Sequence, residues 1–201
     1  MSTETLRWYL PLFLLLYLLF TFVLPSYRVY RQTRINPVTF GKSDNAHDYI
    51  GRLMKVVTGL LVAAVLLFSV WPEGYRFTSP VAFLQHRGLQ VAGLLLAHLS
   101  LLWIMLAQYN MRSSWRIGID ERHKTALVTR GVFALTRNPV FLGMLFSLLG
   151  IFLVLPNAVT LVVLAGSYIL IQVQIRLEEA FLLAQHGETY RLYKTNVRRL
   201  L

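Results

Sequence analysis

Two short polar clusters, each bordering an apolar run, carry the chemistry this chain could perform. The first is Arg137-Asn138-Pro139, followed after one residue by Phe141 and then by Gly143. Asn before Pro is a helix start: an Asn side chain accepts from free first-turn N–H groups, and Pro is tolerated where no N–H is needed. The positive end of that helix, with Arg137 beside it, favours an anionic group such as a carboxylate or phosphate. Gly143, one turn in, lets another helix or a ligand come close. An ordinary capped span anchored to headgroups by Arg137 accounts for the same residues. The second cluster is Gln172, Gln174, Arg176, Glu178 and Glu179. Helical spacing puts Gln172, Arg176 and Glu179 on one face and makes Gln174 and Glu178 a separate pair. Two carboxylates there suit a cation, an amine or ribose hydroxyls, or else Arg176 simply pairs with Glu178 or Glu179 as the helix leaves the membrane.

Between the clusters, Pro156-Asn157 leaves room for only a very short turn, so the two apolar runs form an antiparallel hairpin. Both clusters then lie at the same level, one offering an anion site and the other carboxylates. A zwitterionic ligand satisfies both.

Other polar groups point less clearly to chemistry. The run Trp115 to Lys124 mixes both charges and reads as a solvated connector or as a loop folding over a ligand. His47-Asp48 offers a base and a carboxylate, but neighbours in sequence seldom face each other. The five histidines are scattered without ligand spacing, and His98 stands inside an apolar run. With no cysteine, thiolate chemistry and Cys-bound zinc are excluded. No phosphate-binding glycine loop and no Gly-x-Ser-x-Gly elbow occurs, so ATP use and hydride transfer lack a local motif.

The elements that must position these clusters are membrane spans. With 56% hydrophobic residues in 201 and a mean hydropathy of +0.54, the apolar surface exceeds what one soluble core hides. It falls in five runs, at about 8–24, 53–71, 89–108, 139–155 and 157–175. The fold expected is all-α, a single polytopic transmembrane helical bundle over 1–201 with a cytosolic helical C-terminal tail. The first run lacks a small-residue cleavage pattern and reads as a retained span. The net charge of +11 sits beside the spans rather than on a polar face, which fits headgroup attraction and not nucleic acid. Basic residues concentrate after the first span (Arg28, Arg31, Arg34, Lys42) and after the third (Arg112, Arg116, Arg122, Lys124, Arg130, Arg137). Those loops are expected in the cytosol, with the N-terminus outside, the C-terminus inside and the protein in the cytoplasmic (inner) membrane.

The stretch from Leu127 to Gly143, the Glu178-Glu179 pair and the tail Gly187-Glu-Thr-Tyr190-Arg-Leu-Tyr193 together resemble the isoprenylcysteine carboxyl methyltransferase family. Related membrane enzymes, including phospholipid N-methyltransferases, share the pattern. The resemblance covers about 115–201 and implies an S-adenosylmethionine-dependent methyltransferase, its cofactor site built from the last two spans and the tail. It implies that Arg137, Asn138, Pro139, Phe141 and Gly143 line the cofactor from one side and Glu178 and Glu179 from the other. Tyr190 and Tyr193 would close over it. Asn138 and Phe141 replace the family's His and Tyr, and Asn carries no proton. A carboxylate acceptor needs no base, so O-methylation is favoured, with Arg137 or Arg176 positioning it. An amine or thiol would need Glu178 or Glu179 as base. A lipophilic acceptor would reach the site sideways from the bilayer, the cofactor from the cytosol. Two other readings stand beside this one: an NADPH-dependent membrane reductase of the sterol-reductase type, and a non-enzymatic membrane protein.

Overall fold

The computed structural model describes residues 2–41 and 43–200; Lys42, counted above among the basic residues, lies outside them. Among the described residues no strand forms, and only two isolated bridges occur. The chain is an all-α membrane bundle. Four helices are long and apolar enough to cross a membrane, and a fifth apolar helix is shorter.

The first of these runs from Thr3 to Thr33, well past the Leu24-Pro25 end expected. It consists of α1 (Thr3–Leu18), a π-helical turn (Leu19–Val23) and α2 (Leu24–Thr33). The π turn accounts for the difference: wider winding just before Pro25 accommodates a residue that cannot donate to the helix ladder. Helix α3 (Ala46–Val70) starts earlier than its apolar run because the Asn45 side chain accepts from Asp48 N–H. A short helix α4 (Pro72–Tyr75) leads to α5 (Arg87–Met111), which is capped by His86. Helix α6 (Pro139–Val154) is the short one, and α7 (Ala158–His186) follows after three residues. A reciprocal capping box between Asn157 and Thr160 fixes that turn. Helix α7 continues some ten residues beyond the expected end, because polar side chains stop the hydropathy signal without stopping the helix. Gly187, at φ +53°, then turns the chain into α8 (Glu188–Asn196).

Helices α5 and α6 make the closest pair. A Cβ on Gly93 would lie 2.5 Å from Gly150 O, and one on Gly150 would lie 2.7 Å from Gly93 O. Backbones this close need residues without side chains. Gly143 belongs to the same seam, since its Cβ would meet Ile104 Cγ1 at 2.5 Å. Of the two approaches expected of it, helix or ligand, it makes the helix contact, and it does not line the cavity described below as the resemblance implied. Gly143→Leu should overpack the seam and lower stability by about 1–3 kcal/mol, read as a fall in melting temperature in detergent.

Helix α3 packs on α7 and on α1, and α6 packs on α7. At the hairpin end Leu6, Leu10 and Phe13 of α1, Leu61 and Val65 of α3, Ile151 and Val154 of α6 and Val163 of α7 form the main core. His98 lies here as well. Its Nε2 is hydrogen bonded to the Tyr9 hydroxyl, which ties α5 to α1, its Nδ1 bonds Leu94 O one turn back in α5, and its ring lies tilted against Phe13. The opposite end, where α6 starts and α7 finishes, is built from connections and the tail.

Candidate functional site

Two connections far apart in sequence meet at the tail end. Thr39 N–H donates to Ile117 O and Ile117 N–H to Pro37 O, forming a one-residue parallel bridge between Val38 and Ile117. His47 fastens the pairing: its Nε2 accepts from Ile119 N–H at 2.8 Å, while Phe40 stacks on the ring. Asp48 accepts from Gly41 N–H and Ser43 N–H and touches His47 Nδ1 at 3.3 Å. The two neighbours do meet, and their partners make them a latch rather than a base and its orienter. Phe40 presses onto α3 at Gly51, where a Cβ would come within 2.4 Å of its ring.

The 115–124 connection is folded and not a solvated run. Asp120 accepts from Arg116 Nε, Arg122 N–H and His123 N–H. Burial works against its charge, but hydrogen bonds from Arg116, His123 and Arg122 outweigh burial and hold the carboxyl below its ordinary range.

Beneath the paired connections lies a cavity of about 660 Å³. Its walls come from the π turn of the first helix, α3, the 115–118 segment, the start of α6 and α7. Within the sequence-expected set, Arg137, Asn138, Pro139, Phe141 and Glu178 line it. So do Gln174 of the second cluster, Trp115 of the connection read as able to fold over a ligand, Met144 and the α3 residues Gly51, Met54, Lys55, Thr58, Gly59 and Val62. Met144 and the α3 residues were not marked by sequence as ligand-facing; the signal for the α3 stripe was its helical spacing. A second cavity, of about 1040 Å³, lies across Val38 and Phe40 between the same two connections.

Two buried polar atoms in the cavity wall lack partners. Gln174 is 2% exposed and Trp115 5%; Gln174 Oε1 and Trp115 Nε1 have no hydrogen bond. The Gln174 amide N–H donates to Glu178 Oε1 at 2.9 Å, as their spacing predicted. At the other side no side chain caps α6, and with Pro139 lacking an N–H and Leu142 N–H bonded to Asn138 O, the Val140 and Phe141 amides are the ones left available. Orphaned groups of this kind are costly unless something fills the cavity and pairs with them. One wall therefore offers an oxygen and a carboxylate, and the other offers N–H donors.

Several expected site residues are engaged elsewhere. The Arg137 guanidinium donates to Glu179 Oε1 at 2.7 Å and to Lys194 O and Val197 O at 2.7 and 2.6 Å. Arg199 binds the other oxygen of Glu179 at 2.8 Å. Glu179, 5% exposed, thus sits between two arginines, and the triad ties the C-terminal tail to the bundle. Asn138 does not cap α6 as expected. Its Nδ2 donates to Arg199 O at 2.9 Å, beside a bond from Thr136 Oγ1 to the same oxygen. Tyr190 and Tyr193 are buried and do not line the cavity. The Tyr193 hydroxyl donates to Phe133 O at 2.6 Å, and burial pushes its pKa up to about 12. Burial, with Glu179 next, also raises Tyr190. Both act as neutral struts under α8. Arg176 is exposed and folds back on Gln172 O and Oε1, so it pairs with neither glutamate and does not reach the cavity.

Among the described residues no group of three His, Asp or Glu side chains is placed to hold a metal. The cavity itself can hold a ligand with one apolar end and one zwitterionic end. Its volume falls in the usual range for small-molecule sites, roughly 300–1,000 Å³. A comparison of the sequence with known families matches residues 89–189 to the family described as phospholipid methyltransferase. No curated protein matches the chain.

Proposed function

The chain belongs to the phospholipid methyltransferase family and is an integral membrane methyltransferase, and from that premise we propose that it uses S-adenosylmethionine to methylate a lipophilic acceptor. The observation that carries this reading is the cavity wall. Gln174 Oε1 and Glu178 match the ammonium of the cofactor's amino-acid end, while Trp115 Nε1 and the uncapped start of α6 match its carboxylate. The family resemblance placed Arg137 on one side of the cofactor and both Glu178 and Glu179 on the other. Arg137 and Glu179 neutralise each other, which leaves Glu178 as the acidic group on the cavity wall.

When bound, S-adenosylmethionine supplies an electrophilic methyl group on a sulfonium. Such a displacement asks the protein mainly for orientation and a dry site. Phe133, Phe141, Met144 and Val140 provide apolar lining on the α6 side, and the Val38–Ile117 pairing covers the cavity toward the tail end. The triad around Glu179 fixes the tail against the start of α6 and so fixes the donors there. No side chain needs to form a covalent bond to the methyl group.

The arrangement also bears on the acceptor. Carboxylate methylation relied on Arg137 or Arg176 for positioning, and both are committed elsewhere. Glu178 would in addition repel a carboxylate in the cavity. An amine acceptor instead finds in Glu178 a group able to take its proton, and we favour an amine-bearing lipid. The basic connections support a cytosolic placement of the tail end in the cytoplasmic membrane.

The test is transfer of tritiated methyl from S-adenosylmethionine to a total lipid extract by the purified protein. Label in the organic phase that mild alkali does not release as volatile methanol is expected. Label released as methanol would mark an ester and restore the carboxylate reading, and no label in lipid would contradict the proposal.

A further inference from the structure

Helix α3 turns one continuous stripe to the cavity: Gly51, Met54, Lys55, Thr58, Gly59 and Val62. Lys55, Thr58 and Gly59 on that stripe are also exposed, and a Cβ on Gly59 would meet no atom within 4 Å. The cavity therefore opens sideways along a membrane span. At 1.5 Å per residue α3 is longer than the roughly 30 Å hydrocarbon layer, and Lys55, about two turns in from Ala46, falls near the layer's edge.

Among the described residues three cations line the cavity. Arg137 is saturated by Glu179 and two tail carbonyls. Arg116 is bound by Asp120, Ser113 O and Trp115 O. Lys55 has no hydrogen bond or ion pair among the described residues. A flexible ammonium held at the mouth of an apolar portal, opposite a carboxylate inside, is placed to bind an anion that arrives on a membrane amphiphile.

Resting on the methyltransferase reading, we infer that Lys55 is a positioning residue that selects amphiphiles carrying an anionic head, phosphate above all, and seats that head at the portal while the chain and reacting group extend inward. A lysine that merely anchors α3 to bulk headgroups would make no such selection.

The test uses the full-length protein in a non-ionic maltoside detergent, which carries no phosphate, and two fluorescent probes: a dansyl-tagged long-chain alcohol and its phosphate ester. The phosphate should bind more than about tenfold tighter than the alcohol, the usual worth of a charge-assisted contact. In Lys55→Gln the preference should vanish, the phosphate falling to the affinity of the alcohol. Lys55→Arg should retain it, and Lys124→Gln, which removes an equal charge from the exposed connector, should leave it intact. Competition by inorganic phosphate alone would mark a soluble-anion site and overturn the membrane source. An equal preference in wild type and Lys55→Gln, or none in wild type, would overturn the inference. Failure of S-adenosylmethionine to bind with the phosphate preference intact would instead strike the methyltransferase reading.

Discussion

Glu179→Ala should be the most damaging single substitution at the tail end, lowering stability by about 3–5 kcal/mol, the usual result of leaving a buried charge unpaired. Among the described residues Glu179 is the sole carboxylate partner of Arg137, whose guanidinium is itself nearly buried, and it also holds Arg199. Removing it strands Arg137 beside the start of α6 and frees the segment that carries Arg198 and Arg199. Limited proteolysis should then cut between α8 and the C-terminus at rates far above wild type, with a clear drop in melting temperature. Glu179→Gln should do nearly as much harm, because hydrogen bonding without charge leaves the arginines uncompensated. If Glu179→Ala kept wild-type stability and tail protection and lost only ligand binding, Glu179 would be a ligand contact, as the family pattern implies.

Glu178 should behave in the opposite way. It lines the cavity and has one hydrogen bond, from Gln174. Glu178→Gln should preserve the fold, with a melting temperature near that of wild type, and weaken S-adenosylmethionine binding by about 10–100-fold, as expected for losing a charge-assisted contact. Methyl transfer should fall at least as far, because the same carboxylate is the proton acceptor proposed for an amine. Adjacent glutamates thus separate into a structural one and a functional one. Undiminished cofactor affinity in Glu178→Gln would remove the acidic wall from the site.

Much of this was legible in the sequence, and the failures have identifiable causes. The spans announced themselves because lipid demands long apolar helices, and the Pro156-Asn157 turn forced the hairpin that brings the two clusters together. The Gln174–Glu178 pair followed from helical spacing. Hydropathy, however, reports where lipid ends and not where a helix ends, so α7 was placed short by ten residues. The first helix was also cut at Pro25, since a π turn leaves no pattern in residue types.

The pairing of Arg137 with Glu179 and Arg199 was illegible for a different reason. Residue types declare which charges can pair, but only packing decides whether an arginine meets a ligand or its own tail. Gly143 likewise permitted both a helix and a ligand, and the tight approach of Ile104 settled it. The pairing of the connection before α3 could not be read from sequence, because its partner at Ile117 lies 78 residues from Thr39. Trp115 and Gln174 stood in segments that the sequence marked, but that each leaves a buried polar atom without a partner among the described residues is a property of the folded chain.

The central claim is that the cavity between α3, α6 and α7 holds S-adenosylmethionine through Glu178 and Gln174. The most direct measurement is calorimetric titration of the purified protein in detergent with S-adenosylmethionine and then with NADPH, repeated on Glu178→Gln. Saturable heat with S-adenosylmethionine alone, strongly reduced in the variant, is the result expected. Heat with NADPH and none with S-adenosylmethionine would contradict the account and point to a reductase.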